Sequence, residues 1–135
     1  MKRTLLAIVA VFIAWSVLDI VIHGILLQST YEATASLWRP MDDMNMPLMY
    51  LVTLAYTACF VAIYDLMVSG KSFTTGIQYG VLFGLAAGIS MGFGSYSYMP
   101  IPLALAWSWF FGILVEAIVA DALVGIILKP EAEPS

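Results

Sequence analysis

The chain has 135 residues, of which 62% are hydrophobic and only 10% charged, with Lys+Arg 5 against Asp+Glu 9 and a formal net charge of −4. Soluble domains run nearer ~45–50% apolar and about 25% charged, so a soluble globular domain of this size is excluded. A single cysteine, Cys59, excludes a disulfide scaffold, and the acidic balance without a basic stripe excludes a nucleic-acid binder.

What remains is an integral membrane protein whose first partner is the lipid bilayer. A crossing helix needs about 20 mostly apolar residues, and four stretches qualify, about residues 5–27, 47–68, 74–96 and 101–128. The runs are continuously apolar rather than alternating, which argues against a β-barrel. The expected fold class is therefore all-α, one domain over residues 1–135 with four transmembrane helices in an antiparallel bundle.

Lys2-Arg3 opens the first span in the manner of a signal peptide. The apolar run exceeds a usual signal core and no small-x-small site closes it, so a retained helix is expected. Within this span Ser16, Asp19 and His23 fall on one helix face.

Residues 28–46 form the one connection long enough for structure of its own. Ser29 and Glu32 have capping-box spacing and Arg39-Pro40 is a stop signal. This predicts a short interfacial helix over residues 30–38 with Leu37 and Trp38 in the headgroups. Beyond it Met41, Met44, Met46 and Met49 crowd around Asp42 and Asp43. Thioethers are soft ligands that select Cu(I), so a copper site is one expectation. A polar loop whose methionines pack on the membrane or on a partner is the plainer one.

The second span carries Tyr50, Thr53, Thr57 and Tyr64 roughly along one face, hydroxyls that are expected to serve buried acids, and Asp65 near its end. A few residues around Ser69-Gly70-Lys71-Ser72 lead into the third span, where Gly76, Gly80, Gly84, Gly88 and Gly92 recur at every fourth position. Such a stripe lets another helix approach backbone to backbone. The mate expected from the sequence is the fourth span, through Ser108, Gly112 and Ala120 with Glu116 in line. The alternatives are another membrane subunit, a second copy of the chain, or a flat cofactor or lipid chain. The fourth span also carries Asp121, and the tail follows from residue 129.

Basic residues set the expected orientation. With both ends cytoplasmic, Lys2, Arg3, Lys71 and Lys129 lie inside and Arg39 outside, as the positive-inside rule asks. Trp38, Tyr96, Tyr98, Trp107 and Trp109 then form an outer aromatic belt. The setting this implies is a bacterial-type inner membrane or a plasma membrane.

An ionisable side chain at mid-membrane costs about 2.5–3.5 kcal/mol on the lenient insertion scale, so each requires a reason. Asp65 and Asp121 are expected near the cytoplasmic ends, where they reach water. Asp19, His23 and Glu116 are the constellation at a depth without solvent. They suit a shared proton, a cation held in the manner of bundle metal sites, an Asp–His hydrogen bond that merely locks the first helix, or a contact to another subunit. Walker A, HExxH, CxxC and nucleophile-elbow motifs are absent from the sequence. Three function classes survive, in this order: an accessory or structural subunit of a larger membrane complex, a small ion-, proton- or metal-handling membrane protein, and a membrane enzyme.

Overall fold

The computed structural model describes residues 1–130; of the tail expected over residues 129–135, residues 131–135 lie outside them. The described residues are helical or irregular, with no strand among them. Four helices are long and apolar enough to cross a membrane: α1 Lys2–Leu26, α3 Met46–Met67, α4 Phe73–Tyr98 and α5 Leu103–Ile127. At about 1.5 Å rise per residue, 22 to 26 residues exceed the ~30 Å hydrocarbon core.

Local chemistry sets the boundaries. Asn45 caps α3 by accepting from the Leu48 amide at 3.0 Å, with Pro47 in the first turn. Ser72 caps α4 through the Thr75 amide at 3.1 Å. Between α3 and α4, Gly70 alone among the described residues has a positive φ, at 66°, the left-handed conformation that glycine enters without a Cβ clash. Pro102 stands extended before α5 and pushes Ile101 out of the helical region.

The loop helix begins earlier than the sequence predicts. α2 spans Gln28–Ala33, followed by 3-10 turns at Ala35–Leu37 and Met41–Asp43. Ser29 caps nothing, because α2 runs on from α1 with only Leu27 between them. The Leu27 amide bonds back to Ile22 and the Tyr31 amide to Leu27, which leaves no free N-terminus to cap. Glu32 instead accepts from the Gln28 side chain at 2.9 Å.

Two helices depart from α geometry at the end of the molecule that carries this loop. α1 becomes π-helical over Ile20–Leu26 and α4 over Ile89–Gly94. A π turn widens the helix by one residue per hydrogen-bonded ring and often marks functional positions.

The closest packing is between α4 and α5. Gly76, Gly80, Gly84, Gly88 and Gly92 are all buried on this seam. A Cβ added at Gly84 would stand 2.9 Å from the Ala117 Cβ, and at Gly88 2.9 Å from the Phe110 carbonyl. At Gly76 it would run into the Asp121 carbonyl. The facing stripe on α5 is thus Ala106, Phe110, Leu114, Ala117, Asp121 and Gly125, displaced from the expected Ser108, Gly112 and Glu116. Gly112 faces Ile22 of α1 across an ordinary 3.4 Å contact. Phe110 and Asp121 fit opposite glycine because it leaves room for them, a criterion that a search for small residues on both helices misses.

α1 packs on α5 and on α3. One apolar core, near the end that carries Lys2, Lys71 and Lys129, joins Ala7, Val11 and Trp15 to Phe60, Val61 and Tyr64 and to Ala120, Val124 and Leu128. Phe60 meets Trp15 at 5.0 Å and Phe83 at 4.9 Å between ring centroids. A second core at the loop end gathers Leu27, Ile101, Leu105 and Ala106, with Leu37, Trp38 and Trp109 against it. Trp38 and Trp109 are therefore folded into the protein, while Tyr96, Tyr98 and Trp107 remain exposed. α3 contributes nothing to this second core: from Met46 to Ala55 every residue except Thr53 is exposed.

Candidate functional site

The wide turn after Asp19 carries His23, and α2 folds back so that Tyr31 meets it. Tyr31 Oη lies 2.6 Å from His23 Nδ1 and accepts a hydrogen bond from Trp109 Nε1 at 2.8 Å. An indole N–H can only donate. A phenol hydrogen donated to His23 Nδ1 would leave the imidazole hydrogen on Nε2, 3.9 Å from Asp19 Oδ1. Burial pushes the Tyr31 phenol up, against the opposing effect of the Trp109 hydrogen bond, so it stays protonated and donating through the neutral range. Trp38, stacked edge-on against Tyr31, donates to Thr34 Oγ1 at 2.8 Å and holds the loop in place.

Glu116 enters from α5. The Trp15 indole of α1 donates to its backbone carbonyl at 2.9 Å, which sets the register of the two helices. The Asp19 and Glu116 side chains approach each other from α1 and α5 closely enough to interact electrostatically. Glu116 Oε1 is buried without a hydrogen-bond partner, as is Ser16 Oγ one turn below Asp19. The site is not enclosed: the Asp19 and His23 side chains are 46% and 42% exposed, facing sideways rather than into a sealed interior. Tyr56 of α3 approaches this region, with its ring 5.5 Å from that of Trp15.

The other two acids differ from each other. Asp65 is held by Thr4 Oγ1 at 2.8 Å and Lys71 Nζ at 3.5 Å. Asp121 does not reach water. It is 0% exposed, and neither carboxyl oxygen has a hydrogen-bond partner. The hydroxyls of α3 do not serve these acids either. Thr53 and Thr57 donate to carbonyls one turn back in the same helix, Tyr64 donates to the Ser72 carbonyl, and Tyr50 is exposed. Back-bonding of this kind is the nearest option open to a helical threonine.

The methionine loop is open. Met41 is 77% exposed, Met46, Asp42 and Asp43 are exposed, and Met44 is half-buried. Among the described residues no group of three or more His, Cys, Asp or Glu is placed to hold a metal ion, so a copper reading of this loop rests on its thioethers alone.

Sequence reasoning missed Tyr31 and Trp109. The available signal was chemical: a tyrosine or tryptophan set against a membrane protein's core needs a partner for its polar tip, and His23 was the one imidazole in the chain. No family model, curated protein or solved structure matches the chain.

Proposed function

We propose that this chain is a small proton-handling protein of a bacterial-type inner or plasma membrane, in which Asp19 and Glu116 share a proton. The observation that carries this reading is the approach of the two carboxyls from different helices. Two carboxyls that approach each other in an apolar bundle resist double ionisation, which favours a proton on one of them. His23, 3.9 Å from Asp19 on one side and hydrogen-bonded to Tyr31 on the other, leads from the pair toward the loop end. A proton suits the site better than a metal cation, since the three groups do not converge as ligands among the described residues. The four apolar helices form an antiparallel bundle in this proposal.

The accessory-subunit reading loses its main support, because the glycine stripe is filled by the chain's own α5 and is not offered to a partner. It is retained as a second reading on the outer half of α3, which is exposed from Met46 to Ala55 save for Thr53 and suits another membrane subunit or a second copy.

Reconstituted into liposomes that enclose a pH-sensitive dye, the chain should dissipate an imposed pH gradient. Asp19→Asn and Glu116→Gln should reduce the rate to that of empty liposomes, and His23→Ala should slow it. A wild-type rate equal to that of empty liposomes rejects the proposal.

The orientation proposed with this function places Lys2, Arg3, Lys71 and Lys129 in the cytoplasm and residues 28–46 outside. In a Cys59→Ala background, Ser36→Cys in the exposed loop should react with an impermeant thiol reagent in intact cells. Ser69→Cys, exposed at the opposite end, should react only after lysis. The reverse pattern overturns the orientation.

A further inference from the structure

Asp121 is the one described ionisable group that is wholly buried and has no partner at either oxygen. It lies on the α4–α5 seam, and the seam is shaped around it. A Cβ at Gly80 would stand 2.7 Å from Asp121 Oδ2, 2.8 Å from its Cβ and 2.9 Å from the Ala117 carbonyl. Only glycine at position 80 leaves space for the carboxyl. The titratable groups near enough to feel its charge are Tyr64 from α3 and Tyr79 from α4, and no salt bridge reaches it among the described residues. Tyr64 belongs to the apolar core that also holds Val11, Val61 and Val124. An ionised carboxylate there would lose its hydration with neither a countercharge nor a hydrogen bond in return.

We propose that Asp121 is a second proton-binding carboxyl, separate from the Asp19–Glu116 pair, which holds its proton inside the helix seam and exchanges it past Tyr64. The inference deepens the proton-handling reading and rests on that reading for what the proton does. Tyr64 marks the way out: its hydroxyl donates to the Ser72 carbonyl at 3.1 Å, in the short link between α3 and α4. The same carbonyl is the atom that a Cβ at Gly125 would meet at 2.7 Å, so this hydroxyl ends at the basic mouth of the seam, beside Lys71. On exchange the carboxyl O–H breaks, its electron pair stays on the carboxylate, and the proton forms a new O–H bond on a water that has entered past Tyr64. The bound state is neutral and lets α4 and α5 close; the released state is an anion that draws water into the seam.

Infrared difference spectroscopy of the chain in lipid nanodiscs tests this by equilibrium titration. At neutral pH the wild type should show a protonated-carboxyl stretch from Asp121. The stretch should persist in the Asp19→Asn/Glu116→Gln double variant, disappear in Asp121→Asn, and give way to a carboxylate band at alkaline pH. In D2O its isotope shift should develop more slowly in Tyr64→Phe. A double variant without any protonated-carboxyl stretch overturns the second site, and this arm does not depend on the folding of Asp121→Asn. An Asp121→Asn spectrum identical to wild type overturns it as well. The band without gradient dissipation in liposomes supports the site and rejects the proton-handling reading; dissipation without the band does the reverse.

Discussion

Gly92→Ala should destabilise the chain by about 1–3 kcal/mol, the usual cost of forcing an extra carbon into a filled space. The new methyl would stand 2.5 Å from the Ala106 carbonyl oxygen and 3.3 Å from the Phe110 amide nitrogen. Both are backbone atoms, so no side-chain rotation relieves the contact, and α5 as a whole has to retreat. Gly24→Ala is the matched control. Its Cβ meets nothing nearer than a side-chain carbon of Ile20 at 3.9 Å, and alanine favours a helix over glycine by up to about 1 kcal/mol. Reversible unfolding in mixed micelles should therefore separate the two variants by at least ~1 kcal/mol. Equal tolerance would mean that the seam adjusts freely and that the close approach is not what holds α4 to α5.

Tyr31→Phe should destabilise the loop end by about 1–2 kcal/mol, at the low end for leaving two polar groups unpaired because the site is only half-buried. The substitution keeps the ring against Trp38 and removes the oxygen that serves both His23 Nδ1 and Trp109 Nε1. Since His23 and Tyr31 share that bond, His23→Ala and Tyr31→Phe should not add; a coupling of about 0.5–3 kcal/mol is expected. Alkaline pH gives an independent readout. A phenol raised by burial in the folded state binds its proton more tightly there than in the unfolded chain. Its stabilising contribution is complete below the ordinary tyrosine value of about 10 and is lost as pH rises through the ordinary and then the raised value. The Tyr31→Phe chain should lack that part of the alkaline loss. Additive single effects and unchanged alkaline behaviour would show that the Tyr31 hydroxyl contributes nothing to the fold.

The spans were legible because bilayer thickness leaves little freedom: a run such as LLAIVAVFIAWSVLDIVIHGILL has one structure that satisfies its backbone in lipid. The closeness of Asp19 to His23 was legible for a similar reason, since four residues along a helix is a neighbour distance. What pairs with what across helices was not. The face of α5 opposite the glycines includes Phe110 and Asp121, residues that no small-residue pattern selects. The position of Asp121 near the end of its span gives its depth in a membrane but not its enclosure against Gly80. Tyr31 sits on a segment whose direction depends on the π turn before it, and a single widened turn leaves no periodic mark in a seven-residue stretch.

The exposed stretch of α3 from Met46 to Ala55 has a thermodynamic consequence. A helix segment flanked by protein owes its stability to partners encoded in the same chain; this one owes it to the surrounding lipid, which supplies both the apolar contact and the exclusion of water that preserve its backbone bonds. Its free energy is therefore a property of the solvent as much as of the sequence. In a micelle, where chains are mobile and water penetrates further, the remainder of α3 stays pinned by Phe60, Val61 and Tyr64 while the Asn45 cap has little but its own hydrogen bond to the Leu48 amide. Opening should begin at that cap and stop near Tyr56, where the aromatic contacts with Trp15 and Phe83 begin. The choice between detergent and bilayer is then a choice between two native ensembles of the same molecule.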